Sequence, residues 1–425
     1  MGVPLPAAAA DGSSVEIQVT VTANGTDLKQ SVAMSICREK TTSVRLQFRG
    51  LPPRREPYML SCTAALAGAA PAIASAAAEM YWLPPSPYGG STVLLDTATD
   101  KLVVAAAGRH GSAGGAGHRA FFPIGYYTNW GGYLDGNFSR LRDIKAAGFT
   151  VVHPIPDAGP ANASWGSGNS LQRFAAFMDA CHAVGLWVMY DMRHNYRSPS
   201  DLAAQVRAFR THPALLLWYT ADEPDGHNDP TNATLVAYRA IMALDGYHPV
   251  SMTPNCANYF FAQYASGADI IVPDIYPVGN NLSFSTVYGT ACNRTYGCCG
   301  CDNCPGTLAD LGTRVTEMRE YTRWTGSRKA FWGVAQAFGN AEFWSRVPTG
   351  REVVRMCETA VAAGASGLLF WSAPTVDDIW LHTSQLASRL NPGSATGAEG
   401  GSEGGREAEE AKGGEGGRNR ERTEL

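Results

Sequence analysis

The chain has 425 residues, 45% of them hydrophobic and 10% aromatic, and carries a formal net charge of −4. That is apolar material for one large domain or two ordinary ones, and the absence of any basic stripe argues against a nucleic-acid surface. No apolar run reaches the roughly 18 residues needed to cross a bilayer, so no membrane span is expected.

In chain order, the opening MGVPLPAAAADGSS has neither the basic start nor the apolar segment of a secretory signal. Pro6 stands where myristoylation favours Ser or Thr. Residues 12–108 read as β structure. SVEIQVTVTA (14–23) and SVRLQFRG (43–50) alternate apolar and polar positions, and STVLLDTATDKLVVAAA (91–107) does so around a turn at Thr99-Asp100. Short strands punctuated by segments such as PPSPYGG predict a small immunoglobulin-like β-sandwich, with Cys37 and Cys62 as candidates to bridge it. The alanine-rich stretch 64–78 is its least strand-like part. Residues 109–119, inside GRHGSAGGAGHR, read as a flexible linker.

From residue 120 the rhythm changes to strand–helix alternation. Strands are expected at FFPIGYYTNW, FTVVHPIP, LWVMYDMR, LLLWYTADEP, VSMTPN, DIIVPDIYPV, KAFWGVAQAFG and SGLLFWSA. A helix pattern follows each, the first ending at Gly148, the second at Gly185 and the last running through IWLHTSQLASRL. Eight such units across residues 120–390, with no glycine-rich phosphate fingerprint after the first strand, predict an α/β fold of the (β/α)8 TIM-barrel type rather than a doubly wound sheet. Residues 391–425 are rich in Gly, Glu and Arg and lack aromatics, so they read as a disordered tail.

A barrel of this type presents its chemistry at the carboxyl ends of its strands. Those ends carry Tyr126, Tyr127, Asn129 and Trp130; His153 and Asp157; Tyr190, Asp191, Arg193 and His194; Asp222 and Glu223; Asn255; Asp274 and Tyr276; Gln336 and Phe338; and Trp371. Aromatic faces stack on sugar rings while carboxylates and amides bind hydroxyls. A buried carboxylic acid with raised proton affinity can protonate a glycosidic oxygen. The expected site therefore has Glu223, Asp222 and Asp274 as catalytic acids and Tyr127, Trp130, Asp191, Arg193, Asn255, Tyr276, Gln336 and Trp371 as substrate-binding residues. Each has a plainer alternative: loop or rim acids for Glu223 and Asp222, buried ion pairs with Arg193 for Asp191 and Asp274, and core packing for Gln336 and Trp371. Trp332 reads as core. His153 and His194 lack the paired spacing of metal ligands, so no metal or cofactor is expected.

WYTADEPDG on strand four, PDIYP on strand six, WGVAQAFG on strand seven and LLFWSA on strand eight together resemble the (β/α)8 glycoside hydrolases of clan A, over residues 120–390. The resemblance implies hydrolysis of O-glycosidic bonds in a carbohydrate substrate, with Glu223 at the acid/base position, Tyr276 near the nucleophile and Trp371 under the sugar. The chain departs from the pattern at strand seven, where Gln336 stands in place of the glutamate nucleophile, and at Asp222, where Asn is common. A second carboxylate would then come from Asp191, Asp274 or Glu342. Alternatively, Asp222 and Glu223 would act as in substrate-assisted N-acetylhexosaminidases, or the protein would bind glycans without turnover. A structural cell-surface scaffold is a further alternative.

Six Asn-x-Ser/Thr sequons, at Asn24, Asn137, Asn162, Asn232, Asn281 and Asn293, point to glycosylation and hence to a secreted or cell-surface protein. Ten cysteines are present, five of them (Cys292, Cys298, Cys299, Cys301, Cys304) in one short stretch without zinc-ribbon spacing. In that compartment they read as disulfides, with Cys256 as a further possible partner. Cys181 and Cys357 read as buried thiols. The cysteine stretch falls in a long connection, residues 279–306, and loops beyond about 12–15 residues usually have a function. It is expected to wall the site.

Overall fold

The computed structural model describes residues 15–24, 26, 29–36, 47, 51–66, 72–97, 99–105, 118–156, 170–293 and 299–392. Cys37, Cys298, Asp157, Asn162, most of the strand expected at 43–50, most of the linker and nearly all of the tail lie outside them.

The amino-terminal part forms two small antiparallel sheets. Strands β1 (Val15–Ala23), β2 (Lys29–Ile36), β3 (Tyr58–Leu66) and β4 (Ala74–Met80) build one sheet in the order β2-β1-β3-β4. Within the alanine-rich stretch, residues 64–66 and 74–78 are strand. Its backbone pairs β3 with β4 from Tyr58↔Met80 to Ala64↔Ala74, which needs no large side chains. Strands β5 (Thr92–Asp96), β6 (Lys101–Ala105) and β7 (His118–Ala120) build the other sheet.

The (β/α)8 barrel follows. Its strands are β8 (Ile124–Asn129), β9 (Val151–Ile155), β10 (Trp187–Asp191), β11 (Leu215–Asp222), β12 (Val250–Thr253), a sixth strand interrupted as β13 (Ile270–Ile271) and β14 (Asp274–Ile275), then β17 (Ala330–Gln336) and β18 (Gly367–Ala373). A two-strand hairpin, β15 (Phe284–Ser285) and β16 (Thr290–Ala291), lies in the long connection between β14 and β17. Parallel pairing runs from β8 through to β13, and β13 and β14 both pair with β17. β18 joins β17 to β8, so the ring closes. Helices α1 (Arg140–Ala146), α2 (Ser170–Val184), α3 (Pro199–Phe209), α4 (Ala233–Leu244), α5 (Phe261–Ala265), α6 (Asp310–Trp324), α7 (Gly350–Ala362) and α8 (Asp377–Leu390) follow their strands in turn. The start of α7 is fixed by a capping box between Thr349 and Glu352.

Strands covered on both faces read as continuous apolar runs, yet their side chains still alternate. In β17, Ala330, Trp332 and Val334 point into the barrel, while Phe331 and Ala335 join the layer under the helices. In β9, Val151 points in and Val152 out. Gly125 in β8 is required by close approach, since a Cβ there would meet the Val151 carbonyl oxygen at 1.9 Å.

The β5–β6 hairpin closes the amino-terminal end of the barrel. Val93, Leu102 and Val104 are buried in the same cluster as the inward-facing Val151, Met189, Leu217, Ala330 and Leu369. A polar clamp holds them there. The sealed Ser91 hydroxyl donates to the Leu215 carbonyl at 2.7 Å and lies 3.0 Å from His248 Nε2, while His248 Nδ1 meets Asp245 at 2.8 Å. Trp218 Nε1 donates to the same Asp245 oxygen at 2.7 Å. This serine–histidine–aspartate chain lies at the end of the barrel opposite the strand carboxyl ends. Its members are buried, and it ties β5 to the barrel. Leu102→Ala should therefore destabilise the barrel by about 2–5 kcal/mol, followed in urea through the fluorescence of the core tryptophans. Leu94→Ala, on the exposed face of β5, should cost less than about 0.5 kcal/mol.

Candidate active site

Inward-facing positions at the carboxyl ends of the strands bring Tyr127, His153, Asp191, Tyr219, Asp274, Tyr276 and Trp371 to one mouth, and the turn after β11 adds Asp222 and Glu223. Arg193 organises them. Its Nε donates to Asp191 Oδ2 at 2.8 Å, its Nη2 is ion-paired with the same oxygen at 2.7 Å, and its Nη1 donates to Asp222 Oδ2 at 2.5 Å. Asp191 Oδ1 accepts the Arg193 backbone N–H at 2.8 Å, and Asp191 Oδ2 also meets His153 Nε2 at 2.8 Å. The other Asp222 oxygen accepts the Tyr219 hydroxyl. Burial alone would raise the Asp191 carboxyl. The Arg193 guanidinium and the His153 ring outweigh it and hold the group down at about 2. Burial opposes the Arg193 charge too, but Asp191 and Asp222 more than offset it and raise its proton affinity. For His153 burial wins, and its proton affinity is lowered. Three aromatic rings surround the guanidinium, those of Tyr127, Tyr219 and Trp371, each with its centroid within 5.9 Å.

Beside this network lies a pair of carboxyls. Glu223 leaves β11 in the left-handed region, φ 48°, a conformation uncommon for residues other than glycine. Its backbone N–H donates to the Thr253 carbonyl at 2.8 Å. The turn is held by Asp225, which is buried and accepts the N–H groups of Asn255 and Cys256 at 2.9 Å each and of Gly226 at 3.1 Å. So placed, the Glu223 side chain lies beside the Asn255 amide and the Asp274 carboxyl. Burial and then the Asp222 charge push Glu223 above its ordinary range. Burial and then Glu223 push Asp274 well above its own. Two carboxyls side by side ionise together only at a cost, so each disfavours the charge of the other.

Two expected site residues do not join this group. Trp130 is buried under α2 against Phe174 and Phe177, with centroids 5.3 Å from each. It follows β8 on the outward side, in phase with Ile124 and Tyr126. Gln336 points inward but is fully buried and spent on backbone. Its Oε1 accepts from the Val278 N–H at 2.8 Å, and its Nε2 donates to the carbonyls of Val278 at 3.0 Å and Phe338 at 3.1 Å. It clamps the segment after β14 to the end of β17. Glu342 is exposed on the loop after β17, and Asp191 is sealed by its partners, so Asp274 is the carboxyl beside Glu223. Trp332 is core, and His194 is exposed.

Two disulfides, Cys292–Cys299 and Cys301–Cys304, staple the long connection, whereas Cys256 is a free thiol, as are the buried Cys181 and Cys357. Among the described residues no cluster of His, Cys, Asp and Glu is arranged to hold a metal ion, and no helix is long and apolar enough to cross a membrane. Tyr219, Thr253 and Asp225 are site-building residues absent from the sequence-derived set. The period of β11 puts Tyr219 on the inner face, but nothing local marks Asp225 as more than a turn acid.

No family model matches the chain, and no curated protein does. Among solved structures, it is similar to a glycosyl hydrolase family 2 member from Bacteroides cellulosilyticus (11% identity, TM-score 0.42, covering 89% of this chain and 45% of that one). It is also similar to the β-mannanase of the blue mussel Mytilus edulis (11%, TM-score 0.41, 71% and 97%). A third is the exo-β-1,4-mannosidase of Opitutaceae bacterium strain TAV5 (14%, TM-score 0.44, 65% and 60%). The chain thus spans less than half the length of the first.

Gln336→Glu should lower stability by about 2–5 kcal/mol in urea unfolding, because a buried carboxylate would face two carbonyls that now accept the amide. Asp274 binds its proton more tightly folded than unfolded, so its ionisation works against the fold. That cost is absent below the unfolded value near 3.8, grows as pH rises toward the folded value and is complete above it. Asp274→Asn should therefore unfold a few degrees above the wild type at pH 7, with the gain vanishing near pH 3 in thermal scans.

Proposed function

We propose that the protein hydrolyses O-glycosidic bonds of an oligo- or polysaccharide. The observation that carries this reading is that the buried Glu223 and Asp274 carboxyls lie side by side at the barrel mouth, each raising the proton affinity of the pair. Glu223 delivers its proton to the glycosidic oxygen as the bond to the anomeric carbon breaks. Water adds to that carbon, and its proton returns to the carboxyl pair. Trp371, half-buried beside Tyr127 with ring centroids 5.0 Å apart, offers the sugar a stacking face, and Asn255 offers an amide. The Arg193 network holds Asp222 still and leaves it poorly suited to orienting a substrate acetamide, since Arg193 and Tyr219 already engage both its oxygens. That counts against the substrate-assisted version.

A secreted or cell-surface setting accords with the two disulfides and with the exposure of Asn24, Asn137, Asn232, Asn281 and Asn293, the sequon asparagines among the described residues. Glycan binding without turnover is the second reading, favoured by the backbone clamp that Gln336 makes at the end of strand seven.

The test is hydrolysis of aryl glycosides and polysaccharides from pH 4 to 8 by wild type and Glu223→Gln. Wild-type turnover should extend to a higher pH than an ordinary carboxylic acid supports, because Glu223 is raised, and should fall about 10²–10⁴-fold in the variant. Equal rates in the two proteins would refute the assignment. Absence of wild-type turnover with retained glycan binding would establish the second reading.

A further inference from the structure

Just beyond β12, three consecutive backbone N–H groups are taken up by side chains instead of by a strand or a helix. Pro254 has no N–H to give, and the next three residues all donate to carboxylates. Asn255 and Cys256 donate to Asp225 Oδ1 and Oδ2 at 2.9 Å each, and Ala257 donates to Asp302 Oδ2 at 2.7 Å. The two acids come from different parts of the chain. Asp225 belongs to the turn that carries Glu223, whereas Asp302 belongs to the long connection after β14. One short segment is thus held from two sides by charge-assisted hydrogen bonds.

Asp302 has its own anchors. It lies inside the turn closed by the Cys301–Cys304 disulfide, and the Arg314 side chain of α6 donates to its carbonyl. Cys301 and Arg314 are both buried. The disulfide turn therefore presents a fixed carboxylate to a segment that has no ladder of its own. Ala257 is buried as well. Without Asp302 its N–H would need another acceptor, and the segment would have to move to find one.

The segment matters because its first residue faces the proposed acid. The Asn255 amide lies beside Glu223 and draws its proton affinity down, against burial and the Asp222 charge. Asp222, Asp274 and His227 are the titratable groups that act on Glu223 alongside it. Asn255 is also packed on the Glu223 turn, since a Cβ at Gly226 would meet the Asn255 Cβ at 3.0 Å.

We infer that Asp302 is a positioning residue for the candidate site, holding the 255–257 segment so that the Asn255 amide stays beside Glu223. The inference rests on the reading of Glu223 as the acid and deepens it: the disulfide turn serves the site through Asn255, without touching a substrate.

An NMR titration of the Glu223 carboxyl tests it, in protein carrying isotope-labelled glutamate and with the signal assigned by its loss in Glu223→Gln. Asp302→Ala should move the Glu223 midpoint upward, because the amide that lowers it is no longer held in place. Asp302→Asn keeps an acceptor oxygen and should restore the wild-type midpoint. Asn255→Ala should also move it upward, and adding Asp302→Ala to Asn255→Ala should move it no further. Asp302→Ser, whose hydroxyl is one bond shorter, carries the same expectation should Asp302→Ala not fold. In hydrolysis assays kcat of Asp302→Ala should fall about tenfold with KM within about twofold, and the basic limb of the pH profile should move up with Glu223. An unmoved midpoint in Asp302→Ala, with or without loss of activity, would overturn the positioning role. So would an equal further shift in the Asn255→Ala background. Absence of wild-type turnover would sink the hydrolytic reading alone, since the titration is read without substrate and still decides what Asp302 does.

Discussion

A buried guanidinium is costly unless its charge is paired, and Arg193 pairs it by drawing two carboxylates to Nε and Nη1. Asp191 reaches it from β10 and Asp222 from β11, so the ends of two neighbouring strands are locked in register by one side chain. His153 from β9 and Tyr219 from β11 occupy the outer positions of those carboxylates. The turn that presents Glu223 starts one residue beyond Asp222, so the direction of the proposed acid is inherited from this ion network. The same arrangement separates two kinds of carboxyl within a few residues. Asp191 has a cation and is driven to the charged form. Glu223 and Asp274 have each other and are driven toward the protonated one. Environments that push neighbouring acids apart in this way are the usual basis of acid–base work.

Backbone accounting explains why Glu223 tolerates a left-handed conformation. Asp225 collects three N–H groups from the start of its own turn and from the end of β12, and Glu223 donates its own N–H to Thr253. The strain at one residue is thereby held by four hydrogen bonds around it. Gln336 performs a comparable task on the other side of the mouth, where it holds the segment after β14 to the end of β17. An amide has both a donor and an acceptor, which is what a clamp across two carbonyls and one N–H requires.

The barrel was legible because its signal is repeated: eight apolar strands, each followed by a helical pattern and most by a glycine stop. The mouth was legible in part because carboxyl ends of strands can be located without coordinates. Strand parity, applied from Tyr127 to Trp130, also separates the inner residue from the outer one, and inspection of residue type alone does not. Partner choice was beyond reach. Nothing around Arg193 in the chain says that it takes Asp222 as well as Asp191 and leaves Asp274 to Glu223, since those choices depend on how three strands are staggered. The β module was read from alternation in β1, β5 and β6, but β4 carries small residues whose pairing is visible only when β3 lies beside it.

The hairpin under the barrel makes the amino-terminal module part of the barrel's own core. Val93, Leu102 and Val104 form the lowest layer of an interior that the strands' side chains fill above them. Removing the module would expose that layer to water, so the hairpin and the barrel share one stability and cannot be inherited separately.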